Sequence, residues 1–238
     1  MSRRTRPFAP AVAALAALLV LAACGGDEET EPAETATSPT ETSETTKDSE
    51  GAAPCTYTES TAGEVPLQVE VPEGEPTVSG EVAVTMETSA GTIPLTLDAA
   101  AAPCTVESFV SLAEQDYFDD TVCHRLTDIP GFGVLQCGDP AGTGFGGPGY
   151  TIPDELTGSE TYTAGTVAMA NTGSPDSGGS QFFLVYADTE LPPQYTVFGQ
   201  VGDAGLAVLE DIAATGVVDG GQDGEPAEPV EVLEVSVD

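Results

Sequence analysis

From residue 81 onward apolar side chains return at every second position in short runs, and this period of two restricts the chain to a sheet-based fold. Glu81-Val-Ala-Val-Thr-Met-Glu87 alternates, Ser89-Ala-Gly91 turns, and Thr92-Ile-Pro-Leu-Thr-Leu97 continues, the pattern of a β-hairpin. Further strands are expected at Thr121 to Leu126, Gly133 to Cys137, Thr166 to Ala170, Gln181 to Tyr186, Thr196 to Val201 and Val230 to Val237. Only two segments switch to a helical period. Val106, Phe109, Val110 and Ala113 share one face of a helix from Pro103 to about Gln115, and Leu206, Leu209, Ile212 and Ala213 define a second. Many short strands and two isolated helices, without a strand–helix–strand repeat, argue for an antiparallel barrel or sandwich. Asp139 to Pro153 reads as a long Gly/Pro-rich loop.

The segments before residue 81 have other compositions. Residues 1–23 read as a secretory leader, with arginines at its start and an apolar run from Phe8 to Val20. That run is shorter than the roughly 20 apolar residues of a membrane span. Leu21-Ala-Ala-Cys24 resembles a bacterial lipobox, which makes Cys24 the expected lipidation site. The expected localisation is the cell membrane, held by the lipid on its extracytoplasmic side. Residues 24–54 are Thr, Glu, Ser and Pro with almost nothing to bury, and a disordered acidic tether is expected. Residues 55–80 read as an irregular arm, and 81–238 as the folded domain.

Charge and cysteine usage narrow the function. Forty Asp and Glu face five Lys and Arg, so no basic patch exists for nucleic acid. A surface this acidic suits high-salt surroundings, where its self-repulsion is screened. Cys55, Cys104, Cys123 and Cys137 remain after Cys24, an even number that in an exported domain suggests two disulfides with three possible connectivities. No CxxC occurs, and with a single histidine no metal site is expected. The loop Gly142-Thr-Gly-Phe-Gly-Gly-Pro-Gly149 lacks the lysine and helix start of a phosphate loop, and no G-x-S-x-G elbow is present.

Arg125 is the only arginine beyond the leader, and His124 beside it is the only histidine. A chain that has shed almost every cation but keeps one guanidinium points to a task for its five fixed donors. Three segments surround that task. Phe118-Asp-Asp-Thr-Val-Cys-His-Arg-Leu126 leads into Pro130-Gly-Phe132 and Gln136-Cys-Gly-Asp139. Gly165-Thr-Val-Ala-Met-Ala-Asn171 is followed by Gly179-Ser-Gln-Phe-Phe183, and Tyr195-Thr-Val-Phe-Gly199 comes third. In order and spacing these resemble the cyclophilin family of peptidyl-prolyl isomerases, over about residues 80–238.

The resemblance implies a mainly β fold, a closed eight-stranded antiparallel β-barrel capped by two α-helices, with an active groove on its outside. It implies prolyl cis–trans isomerisation without a cofactor, acting on proline-containing segments of exported proteins. The alternative is a noncatalytic module that holds such segments. Arg125 falls on the catalytic arginine, His124 on its companion histidine and Gln136 on the groove glutamine. Ala170 and Asn171 match the pair lining the groove, Phe183 the pocket phenylalanine, and Leu191 and Tyr195 the far wall of the proline pocket. Leu126 to Leu135 is longer than in typical members, so Phe132 or Gly133 takes the second phenylalanine position and Val134 or Leu135 that of the usual methionine. Glu190-Leu-Pro192 lacks the tryptophan of many relatives, which argues against strong cyclosporin binding. Cys123 and Cys137 flank the strands of the site; if those strands pair as a hairpin, the two face each other, leaving Cys55 to Cys104. Nothing in the sequence signals oligomerisation, and a monomer is expected.

Overall fold

A computed structural model of the chain describes residues 54–61 and 63–238. The leader, Cys24 and residues 24–53 of the expected tether lie outside them. The described strands are β1 (Thr58–Glu59), β2 (Glu81–Thr88), β3 (Gly91–Asp98), β4 (Thr121–Val122), β5 (Arg125–Ile129), β6 (Phe132–Cys137), β7 (Tyr150–Thr151), β8 (Thr166–Met169), β9 (Phe182–Ala187), β10 (Val197–Val201), β11 (Asp223–Gly224) and β12 (Glu231–Val237). The described α-helices are α1 (Pro103–Ala113) and α2 (Asp203–Thr215).

Ten strands form one antiparallel sheet in the order β11-β5-β6-β9-β8-β10-β3-β2-β12-β4. The sheet curls because β4 and β5 are successive pieces of one chain segment. Its first piece pairs with β12, Thr121 facing Val232, and its second with β6, Arg125 facing Gln136. A bridge between Val122 and Asp139 and the Cys123–Cys137 disulfide join the seam. Taking β4 and β5 as one strand and setting aside the short β11, eight strands run round the ring.

The β5–β6 hairpin is longer than the sequence suggests. β5 continues to Ile129 and β6 begins at Phe132, so Pro130 and Gly131 form a two-residue turn, with Gly131 at φ 78°. Proline fixes φ at the first corner and glycine takes the positive φ of the second. The extra residues between Leu126 and Leu135 are therefore a hairpin extension rather than an irregular loop.

Alternation fills the interior. Leu95, Leu97, Leu126, Leu135, Phe182, Leu184 and Phe198 point into one buried core with the helices. Phe109 of α1 stands within 4.9–5.6 Å, ring centre to ring centre, of Phe118, Phe182 and Phe198. The two helices close opposite ends. α1 follows the end of β3 and α2 the end of β10, and these neighbours run antiparallel with Leu97 facing Gly199. Gly205 lets α2 approach closely, since a Cβ there would come within 2.9 Å of Ile93 Cγ2.

α1 is buried on nearly every side, not on the single face that its period suggests. The arm supplies the outer cover. Cys55 is disulfide-bonded to Cys104, and Tyr57 donates a hydrogen bond to the Cys104 carbonyl at 3.2 Å. Glu107 accepts from the backbone N–H groups of Thr77 at 2.8 Å and Val78 at 3.0 Å. The start of α1 carries proline at its first turn and no side-chain cap of its own. Glu155 caps it from a distant loop, accepting from Cys104 N at 2.9 Å and Thr105 N at 2.8 Å. β1 pairs with β7 and Glu64 bridges Gly146, and apart from these short pairings the described arm is irregular.

Candidate active site

Where β6, β9, β8 and β10 lie side by side, both faces of the sheet are apolar. Residues between the core positions point outward: Val134, Ala168, Phe183 and Val185 form a second buried cluster with Tyr162. Phe132, Ala170, Leu191, Tyr195 and Val197 pack against it, partly exposed. An outward sheet face of this kind is normally polar. Here it is an apolar groove.

The register sets one line of residues across five strands. Arg125 faces Gln136, Gln136 faces Phe183, Phe183 faces Ala168, and Ala168 faces Val197. Arginine, amide and aromatic ring are thus neighbours by strand pairing, though 58 residues separate the first from the third. Tyr195 meets the edge of the Phe183 ring at 5.5 Å. Tyr162 packs edge-on to Tyr195 at 6.0 Å, and its hydroxyl accepts from Tyr195 N at 3.0 Å. Tyr162 belongs to none of the sequence motifs, and no local signal marks it; only the tertiary packing shows that it buttresses the groove.

Arg125 is half-buried, and three of its five N–H donors are engaged. Its Nη1 donates to Gln136 Oε1 at 3.2 Å, its Nε to Asp223 Oδ1 at 2.7 Å and its Nη2 to Asp223 Oδ2 at 2.8 Å. The guanidinium carbon lies 5.5 Å from the centre of the Phe132 ring, within cation–π range. The bond from Asp223 holds the arginine further above its already high pKa, against the opposing pull of burial. Gln136 passes the order on: its Nε2 donates to Gln181 Oε1 at 2.8 Å, and Gln181 Nε2 donates to the Gly146 carbonyl at 2.9 Å. This chain fixes which end of the Gln136 amide meets the arginine.

Phe132 and Val134 face the groove, while Leu135 faces the barrel core. Gly133 sits at a register shift, where a Cβ would meet the Ala187 Cβ at 2.9 Å and the Tyr186 ring at 3.0 Å. Asn171 is held by its side chain, which donates to the Gln194 carbonyl at 2.8 Å and accepts from Gly173 N at 3.0 Å. Among the described residues, its backbone N–H and C=O have no hydrogen-bond partner. His124 packs beneath the glycine loop: a Cβ on Gly144 would lie 3.3 Å from its Cδ2. Both its ring nitrogens are buried without a partner, and burial pushes its pKa down.

Beside this row lies a cavity of about 490 Å³, with walls from Gln136, Ala170, Asn171, Gln181, Phe145 and the arm residue Gly63. Asp139 holds the loop that lines it. The buried carboxylate accepts from the backbone N–H groups of Ala141, Thr143 and Gly144 at 2.6–2.9 Å. Burial alone would raise the Asp139 pKa, but the backbone N–H groups of Gly146, Ala141, Gly144 and Thr143 together hold it below the ordinary carboxylate range. Among the described residues no cluster of His, Cys, Asp and Glu is arranged to hold a metal.

The comparisons with known proteins agree with this architecture. Residues 83–237 match the family model described as cyclophilin type peptidyl-prolyl cis-trans isomerase/CLD. The chain is 49% identical over 175 residues to a probable peptidyl-prolyl cis-trans isomerase B of Mycobacterium tuberculosis, covering 68% of this chain and 56% of that protein. It is 47% identical over 175 residues to the Mycobacterium leprae counterpart, covering 68% and 59%. The chain thus spans somewhat over half the length of these relatives. A crystal structure of a cyclophilin-type isomerase from Cryptosporidium parvum superposes with a TM-score of 0.58 at 27% identity, covering 66% of this chain and 98% of that one. The same protein has also been solved in the presence of the dipeptide Ala-Pro. With the matching barrel, the outward groove and the arginine–glutamine–phenylalanine row in place, the chain belongs to the cyclophilin-type peptidyl-prolyl cis-trans isomerase family.

Proposed function

We propose that this chain accelerates cis–trans rotation about X-Pro bonds. The observation that carries the reading is the transverse row, which sets a guanidinium beside an amide and a cluster of apolar and aromatic side chains. The uncatalysed bond turns slowly because amide resonance raises a barrier of about 18–20 kcal/mol. No bond is broken, so neither nucleophile nor cofactor is required. The protein must bind the twisted amide better than either planar form.

Each part of the groove has a share in that preference. Phe132, Val134, Phe183, Leu191 and Tyr195 hold the proline ring. The unpaired backbone groups of Asn171 bond the peptide beside it, so one side of the bond stays fixed while the other turns. As the bond twists, the prolyl nitrogen loses resonance and gains a lone pair, to which a free N–H of Arg125 donates. Gln136, fixed by Gln181, keeps the arginine over the groove. The Ala-Pro dipeptide used with the solved relative has the chemistry this groove accommodates.

The biological setting is part of the proposal. The lipobox-like Leu21-Ala-Ala-Cys24 and the leader before it support a lipid-anchored protein outside the cytoplasmic membrane, whose clients are proline-containing segments of exported proteins. The two disulfides are consistent with that oxidising location.

The test is isomerisation of a short Ala-Pro peptide by the parent and by Arg125→Ala. The parent is expected to be active, and the variant to lose roughly 100-fold in kcat/KM, the scale of removing one transition-state donor. A folded parent that binds the peptide without turning it over would replace this reading with that of a noncatalytic proline-binding module.

A further inference from the structure

We propose that Asp223 is a positioning residue of this site, holding Arg125 in the orientation that presents its remaining donors to the groove; the inference rests on the isomerase reading above. Asp223 lies 98 residues from Arg125 in sequence, yet both its carboxylate oxygens accept from the guanidinium, at 2.7 and 2.8 Å. The side-on pair takes Nε and Nη2, and Gln136 takes one donor of Nη1. A guanidinium has five N–H groups. The two left over, one on each terminal nitrogen, are the ones available to a prolyl nitrogen.

The backbone around Asp223 is built to deliver its carboxylate. After α2 the chain folds into a small hairpin, with Val218 N bonded to the Glu225 carbonyl and Ala227 N to the Gly216 carbonyl. Its tip is then laid along β5, with Asp223 facing Thr127 and Gly224 facing Leu126. On the other side of Asp223, Gln222 is bonded to Asp128 twice, through Asp128 N to the Gln222 carbonyl at 2.7 Å and Gln222 Nε2 to the Asp128 carbonyl at 3.1 Å. Anchors on both flanks leave the Asp223 side chain little freedom to follow a moving arginine.

Stability alone does not account for the arrangement. Both side chains are partly open to water, 35% for Arg125 and 44% for Asp223, and pairs of that kind contribute little to folding. Orientation is the larger consequence. Arg125 is the only Lys or Arg among the described residues, on a surface otherwise rich in carboxylates. An unheld guanidinium on such a surface has many competing acceptors. Asp223 settles the competition and offsets the positive charge, so the groove acts through a directed hydrogen bond rather than a net field.

The experiment compares the parent chain with Asp223→Asn, Asp223→Ala and Asp223→Glu. In Asp223→Asn, kcat is expected to fall about tenfold with KM changed less than twofold, the mark of a misaimed group rather than a lost binding contact. Asp223→Glu keeps the charge and is expected to recover part of that loss. Heat denaturation should be little changed in either. The arginine itself gives a second readout. The chain has four arginines, and Arg125→Lys identifies which Nε–H proton resonance belongs to Arg125. That signal should exchange slowly with water in the parent and rapidly in Asp223→Asn. Parental kcat and KM in Asp223→Asn would overturn the inference while leaving the isomerase reading intact. A parent without turnover would overturn that reading and the positioning role with it, and the resonance would then report the clamp alone.

Discussion

His124 is the residue whose chemistry reaches furthest beyond its own contacts. Burial pushes its pKa down; the nearby Asp139 pulls the other way and Arg125 adds to the lowering. Its unfolded value is near the ordinary 6.5, so as pH falls below about 6.5 the unfolded chain takes up a proton that the folded chain resists. Stability should therefore decline with acidification from about pH 6.5 down through the folded pKa. Melting temperature measured against pH should show that slope in the parent and lose it in His124→Phe. A parent curve flat from pH 7 to 5 would contradict the buried, unpartnered state of the ring. Asp139 and Asp223 act lower. Arg125 is the main cause that holds Asp223 below its usual range; Asp139 contributes stability that is lost as pH falls through its depressed value, and the exposed Asp223 contributes little. Turnover should stay flat across neutral pH, because no group in the groove changes charge there. At this scale, Arg125, Gln136 and Phe183 were legible because each stands inside a contiguous run of distinctive residues. Asp223 was not: one carboxylate among forty acids carries no mark until the hairpin after α2 brings it to the arginine.

Among the elements, strands were easier to read than their edges. Alternation located the hairpins, but it gave no sign that β5 runs on to Ile129, because Thr127-Asp128 does not alternate with its neighbours in polarity. Helix α1 shows the opposite limit. Its period marked one apolar face, yet Glu107 and Ser108 on the rest of its surface are also buried. Tyr150 meets Ser108, and Glu107 is covered by the arm, whose Pro- and Glu-rich sequence has no period to read. That arm depends on the Cys55–Cys104 bond and on Glu107. In Cys55→Ser/Cys104→Ser, hydrogen exchange across residues 55–79 should rise at least tenfold, while the strands of the barrel keep their protection. The cavity beside the groove would lose the wall that Gly63 provides. Unchanged protection of the arm would mean that the hydrogen bonds to Glu107 and Gln115 are enough to hold it.

For the molecule as a whole, charge dominates. The carboxylates among the described residues repel one another, with Arg125 the only Lys or Arg among those residues to offset them, and that repulsion is screened as the Debye length shrinks from about 10 Å at 0.1 M salt to about 3 Å at 1 M. Melting temperature should rise by several degrees between those concentrations, and a constant value would show that the acids are spaced widely enough not to interact. Composition made this charge legible at once, while barrel closure was legible only through the family resemblance, because by periodicity β4 and β5 read as a single strand. Beyond charge, the sheet under the groove is a party wall. Phe182 and Leu184 furnish one room, Phe183 and Val185 the next, and a single backbone carries all four. Neither room can be refitted alone. A substitution chosen to tune the site shifts the barrel's interior, and a lesion deep inside the barrel reaches the groove through the shared strands.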